Sequence, residues 1–310
     1  MTFLSDTRYT IAKLEWMRAE GIWPNGLRYL WTDAFGLVLL VSLYAESAER
    51  KYLDQAESLV AEVVRVLGRA RGIRIGEAPD RDGQYFHYLA MWLYALGILG
   101  RHIADYRQLG IELARQIHGP FVRPGRGVIW KMKEDLSGPY PGYGFGGLDA
   151  FDGYVSYRLL GETALADEIA EMRLLIAQTA PDLYITQDLG LGMMLWMTQF
   201  FPEETWAVTQ KARCVQMLDQ MWIEAGYFCR EPGAHIRFAF TNYGVSVGLQ
   251  AVNAMPERVR RLNANFEAYR SGDHYDRDAI THLMACSSHF PGYLMRGFGQ
   301  AAYPNASASR

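Results

Sequence analysis

Six stretches of the chain share one pattern, a polar or turn-forming lead-in followed by a helix-length apolar segment. They begin near Trp31 (WTDAFGLVLLVSLY), Asp82 (DGQYFHYLAMWLYALGILG), Asp149 (DAFDGYVSYRLLG), Asp188 (DLGLGMMLWMTQFF), Thr241 (TNYGVSVGLQAVNAM) and Asp278 (DAITHLMACSSHFPGYLM). Charged, amphipathic segments alternate with them. Residues 52–69 are the clearest, with Leu53, Ala56, Leu59, Val60, Val63, Val64 and Leu67 repeating at helical spacing. The alternation predicts inner helices near 29–47, 83–100, 148–161, 187–201, 241–254 and 278–294. Outer helices are expected near 5–20, 52–69, 104–118, 164–178, 204–222 and 257–270, the first pairing with the last inner helix. The expected class is all-α: an (α/α)6 toroid of six helical hairpins, one domain over residues 1–310.

Three connections are too long for plain turns. Residues 70–82 are rich in Gly, Arg and Asp. Residues 119–147 read as a β-hairpin around Pro124-Gly125, then the run GPYPGYGFGG. Residues 224–240 read as a second hairpin around Pro232-Gly233. All three lead from an outer helix into an inner one, so they belong at one rim, over the inner-helix N-termini.

Composition narrows the function. The net charge is −3 and no basic cluster stands out, which argues against nucleic acid. Three cysteines, Cys214, Cys229 and Cys286, form no CxxC, as expected of a reduced, cytoplasmic setting. The N-terminus lacks the pattern of a secretory signal, and the apolar run near 35–43 is short for a membrane span. Motifs for nucleotide phosphates, zinc proteases and serine hydrolases are missing. A small-molecule substrate is expected, with no metal and no cofactor.

The segments RYLWTDAFG, DRDGQYFHYLAMW, IWKMKEDL, LDAFDGYVSY and TQDLGLG together resemble a bacterial branch of the six-hairpin (α/α)6 toroid superfamily. That superfamily includes glycoside hydrolases, unsaturated uronyl hydrolases, sugar epimerases and some terpenoid-processing enzymes. The resemblance implies the toroid fold. The histidine pair of the sugar 2-epimerases and the DxDD motif of class II terpene cyclases are not recognised, so it leaves the chemistry open.

Asp33, Asp82, Asp149 and Asp188 stand at inner-helix starts. One reading makes them N-caps. The other makes them carboxylates converging on one aromatic funnel, where like charges drive pKa values apart. Asp149 and Asp152, three apart, share a helix face, and a cap explains only one of them. His87 follows as a proton-transfer group or a bonded core histidine. The stripe Asp278, His282, Cys286 and His289 is too long for one metal ion; it is expected to line the lumen or pack on the first helix. Lys131 is expected to lean over the funnel or protect a strand edge. Arg237 is expected to hold an anionic group or pair with a rim carboxylate.

The expectation is an enzyme with an aspartate acid–base pair acting on a saccharide or sugar-derived ring, of hydrolase, lyase or epimerase type. Asp149 or Asp152 would be the acid, and Asp82 or Asp33 the base or orienter. Trp31, Tyr85, His87, Trp130, Lys131, Tyr143, Phe145, Asp188, Arg237 and Tyr243 would line the substrate. The alternatives are an acid-initiated cyclase or dehydratase on an isoprenoid-like substrate, with aromatic walls stabilising cations, and a non-catalytic binding protein whose aspartates are caps.

Overall fold

The computed structural model describes residues 5–223, 239–268 and 270–299. Among these, twelve α-helices form an (α/α)6 toroid. The inner helices are α2 (Leu30–Ser47), α4 (Phe86–Leu99), α6 (Asp149–Gly161), α8 (Asp188–Thr198), α10 (Ala239–Ala251) and α12 (Ala279–His289). The outer ones are α1 (Thr7–Ala19), α3 (Arg50–Leu67), α5 (Ala104–Phe121), α7 (Ala166–Thr179), α9 (Thr205–Ile223) and α11 (Pro256–Ala268). Each inner helix packs on its neighbours, α12 returns to α2, and α1 packs on α12, closing the ring. Burial follows the sequence pattern: α2 is buried continuously from Leu30 to Leu43, whereas α3 buries only its stripe. Leu30–Ser47 is long and apolar enough to cross a membrane, but most of it is covered by neighbouring helices.

Two local features shape the ring. The inner helices α8 and α10 meet on glycines: a Cβ on Gly248 would stand 2.1 Å from the Gly192 carbonyl oxygen. At the other end, residues 290–298 cross beneath the inner helices. Tyr293 N–H donates to Ser42 Oγ at 2.9 Å, and Trp196 Nε1 donates to the Leu294 carbonyl at 2.8 Å. Tyr94 donates to the Tyr293 carbonyl. Gly292 takes φ +51° there, with Ser42 where a side chain would be. This segment ties α2, α4 and α8 together at that end of the ring.

The hairpin expected around Pro124-Gly125 is present, with β2 (Val122–Arg123) pairing with β3 (Gly127–Val128). A pairing the sequence did not announce joins β1 (Gln84–Tyr85) to β4 (Lys131–Met132). The second expected hairpin, around Pro232-Gly233, lies outside the described residues, as does Arg237. The α12 stripe packs on α1, with His289 against Tyr9 at 4.1 Å and His282 edge-on to Trp16 at 4.8 Å.

Candidate functional site

The rim over α4 and α6 is built from the 119–147 connection. The β1–β4 pairing sets Tyr85 opposite Lys131, and Phe86 N–H donates to the Trp130 carbonyl at 3.1 Å. That fixes the first turn of α4, where His87 sits. Buried Gln84 cross-links the surrounding loops: it accepts from Ile73 N–H at 3.0 Å and donates to the carbonyls of Arg71 at 2.9 Å and Glu134 at 2.6 Å. The glycine-rich run is tied to the hairpin by Trp130 N–H to Gly144 O (2.9 Å) and Gly146 N–H to Val128 O (3.0 Å). It then delivers the chain into α6.

His87 and Asp152 meet there, Nδ1 to Oδ2, at 2.7 Å. The Asp152 side chain is 5% exposed and that of His87 17%. Trp31 stacks on the imidazole at 4.7 Å with a 27° interplanar angle. Burial alone would lower the His87 pKa; the carboxylate of Asp152, its hydrogen bond and Asp149 outweigh this and raise it. Asp149, one turn earlier on α6, is buried, and its Oδ1 has no hydrogen-bond partner among the described residues. Burial, then the neighbouring charge of Asp152, push Asp149 up to about 8 despite the opposing pull of His87. Burial thus favours the protonated, uncharged form of Asp149, beside a histidine–carboxylate pair. His87 and Asp152 themselves line a cavity of about 10 Å³, room for one water, closed by Met91, Val155, Ser156, Met193 and Trp196.

A cluster of tyrosines packs beside Trp31, which stacks on His87. The hydroxyls of Tyr29 and Tyr88 are bonded at 2.8 Å, and Tyr88 packs on Trp31 at 5.2 Å and on Tyr85 at 5.1 Å. Tyr85 stacks on Trp130 at 5.8 Å, and Tyr143 meets Trp130 edge-on at 5.2 Å. Burial holds the Tyr29, Tyr85 and Tyr88 hydroxyls above their ordinary range, so they stay protonated donors. Lys131 is 1% exposed and does not lean over an opening. Its ammonium donates to Glu77 Oε2 (3.1 Å), the Arg81 carbonyl (2.6 Å) and the Tyr85 hydroxyl (3.3 Å). Glu77, Tyr29 and Tyr88 were not anticipated as members of this cluster. Tyr88 carried a signal, as the neighbour of His87; Glu77, in an ordinary loop sequence, carried none.

Other expected site residues lie elsewhere. Asp33 is two residues after Trp31, about 200° round the helix, so it faces away from His87. It accepts from Trp23 Nε1 at 2.9 Å and lies 3.2 Å from the Arg28 guanidinium, both charges buried. Burial pushes Asp33 up to about 6 against the pull of Arg28 and Trp23. Asp82 pairs with Arg74 and accepts from the backbone N–H groups of Gly83 at 2.8 Å and Gly76 at 3.2 Å, bracing the 70–82 loop. Asp188 accepts from Thr241 Oγ1 at 2.6 Å, which joins α8 to α10. Tyr243 packs against Phe266 at 6.0 Å, on the side of the outer helices. Phe145 is exposed and covers Gly127 beneath Arg126. The N-cap positions of α2, α4, α6 and α8 are Tyr29, Tyr85, Leu148 and Gln187, without side-chain caps; Asp188, one residue inside α8, accepts from Leu189 N–H at 2.7 Å in the first turn.

The architecture places the chain among the (α/α)6 toroid proteins. Its fold is similar to that of cellobiose 2-epimerase from Spirochaeta thermophila DSM 6192, at TM-score 0.57 and 13% identity, over 85% of this chain and 86% of that one. A sugar epimerase from a ruminal bacterium is similar at TM-score 0.55 and 12% identity, over 83% and 74% of the two chains. Cellobiose 2-epimerase from Bacillus thermoamylovorans B4167 follows at TM-score 0.53 and 9% identity, over 83% and 74%. At such identities the likeness speaks for the fold alone. No family model and no curated protein sequence matches the chain.

Proposed function

We propose that the chain is an enzyme that moves a proton on a saccharide or sugar-derived ring. The observation that carries this reading is the His87–Asp152 contact at 2.7 Å beside a buried, neutral Asp149. With Nδ1 bonded to Asp152, the His87 Nε2 is the atom left to take or return a proton. Asp149 supplies an O–H for a substrate oxygen, and Asp152 orients the imidazole and stabilises its charged form. His87 thus takes the role that the sequence suggested for Asp82 or Asp33, whose side chains are engaged elsewhere. The hydroxyls of Tyr29, Tyr85 and Tyr88 favour a polyhydroxylated ligand over an isoprenoid, which needs a dry aromatic wall. The toroid neighbours named as sugar epimerases support the same class.

The test is a panel of mono- and disaccharides incubated with the enzyme in D2O and followed by NMR. Deuterium entering a ring carbon, or a new anomer or epimer, is expected with the native enzyme and not with His87→Gln. Turnover of isoprenoid diphosphates with no change in any saccharide would refute the reading.

A further inference from the structure

A cavity of about 520 Å³ lies where α1, α10, α11 and α12 come together, with residues 275–277 also in its wall. That volume suits a small molecule. Among the described residues, its wall shares no member with the cavity beside His87 and Asp152. Much of the wall is aromatic: Trp16, 40% exposed, stands edge-on to His282, and Tyr243 packs on Phe266. The charged side chains of the wall are already partnered. Lys13 pairs with Glu267 at 3.3 Å, and Glu267 also accepts from Tyr9. Arg277 pairs with Glu20 at 2.9 Å, and Arg270 donates to the Glu267 carbonyl at 3.0 Å. Asp276 accepts from the N–H groups of Ser271 at 2.6 Å and Gly272 at 2.8 Å. Two polar groups are left over. Tyr243 is 2% exposed, yet its hydroxyl makes no hydrogen bond among the described residues. Burial keeps that hydroxyl protonated, so it is a donor without an acceptor. His282 Nε2 lies 2.8 Å from the Asp276 carbonyl oxygen, which can only accept, so Nε2 carries the proton. Burial lowers the His282 pKa against the pull of that carbonyl, and the neutral ring keeps Nδ1 as an acceptor.

We propose that this cavity is a second, non-catalytic binding site for a neutral saccharide. A ring face would lie on Trp16, Tyr243 would donate to a ligand oxygen, and ligand O–H groups would donate to His282 Nδ1 and to Glu267. The chemistry of the wall selects this class. It offers one donor, two acceptors, an aromatic face and no charge without a partner. A hydroxylated ring brings O–H groups, bare oxygens and an apolar C–H face in one neutral molecule. A purely apolar ligand would bury Tyr243 and His282 without partners. A carboxylate or phosphate would set negative charge beside Glu267 and bring no proton for Nδ1. The site stands on its own walls, whether or not His87 moves a proton.

Tyrosines labelled at Cζ report on it in the full chain. The Tyr243 resonance, assigned by its loss in Tyr243→Phe, is expected to move saturably with cellobiose, maltose or lactose, and to move equally in His87→Gln. By calorimetry, Tyr243→Phe should weaken binding of that disaccharide about 3- to 10-fold, the size of one hydrogen bond. Trp16→Ala should weaken it about 10-fold or more, through loss of the aromatic face. Tyr243→Phe removes a single atom, so the test survives if Trp16→Ala loosens α1. A Tyr243 resonance that none of the three disaccharides moves overturns the proposal. So does a shift that disappears in His87→Gln, which would put the ligand in the other cavity. Movement with 4-hydroxybenzoate but with no disaccharide overturns the neutral-ligand argument and marks an anion site. Saccharide binding here, with no exchange in the D2O panel, supports this site and overturns the proton-transfer reading alone.

Discussion

Asp149→Asn is expected to stabilise the protein at alkaline pH while abolishing a proton donor. Asp149 is buried, its Oδ1 has no partner among the described residues, and its carboxyl is raised from 3.8 to about 8. The folded state therefore holds a proton that the unfolded chain has released. The stability linked to that proton is complete below about pH 4 and is lost progressively as pH rises towards 8. A shift of about four pKa units at 1.36 kcal/mol each is on the order of 5 kcal/mol. At roughly 2 °C per kcal/mol for a chain of this length, the melting temperature should fall about 10 °C from this group alone. Asparagine keeps the shape and does not titrate, so the variant's curve should be flatter and cross the native one between pH 4 and 8. Scanning calorimetry from pH 5 to 8.5 reads this directly. His87, whose pKa is also raised, contributes stability below its unfolded value that fades as pH rises through its folded one; Asp149 supplies part of that rise, so the variant carries a smaller His87 slope as well. Parallel curves, with the variant about 1 kcal/mol less stable throughout, would instead mark Asp149 as an N-cap and refute the buried-acid argument.

Asp152→Asn should fold normally and lose turnover by roughly 10²- to 10⁴-fold, read as initial rates on the saccharide from the D2O panel; full activity would remove Asp152 from the mechanism. Asp33→Ala should cost about 3–5 kcal/mol in denaturant unfolding, because it strands the buried Arg28 guanidinium, whereas a surface aspartate would cost under 1. Gly248→Ala, whose Cβ would stand 2.1 Å from a carbonyl oxygen, should destabilise by about 1–3 kcal/mol or more; unchanged melting would mean α8 and α10 separate easily.

The helical hairpins were legible because inner and outer helices differ in how much of their circumference is apolar, a property each segment carries alone. The segment 30–43 reads as buried all round and is. The site was legible only in part. The i, i+3 spacing placed Asp149 and Asp152 on one face, and His87 stood out as a histidine on an apolar helix. Helical phase could also have separated Asp33 from Trp31, had it been weighed against the expectation of a shared rim. What the sequence could not show was the pairing of Tyr85 with Lys131 across 46 residues, or that Glu77 and Arg74 would claim Lys131 and Asp82. Those are long-range contacts between loops, where no period constrains which side chains meet.

The segment 290–298 beneath the ring is a tie as well as a chain end. It bonds to α2 through Ser42, to α4 through Tyr94 and to α8 through Trp196, so three hairpins that are far apart in sequence share one strand of chain as their common anchor. Loosening that strand at any one of them would release its hold on the other two.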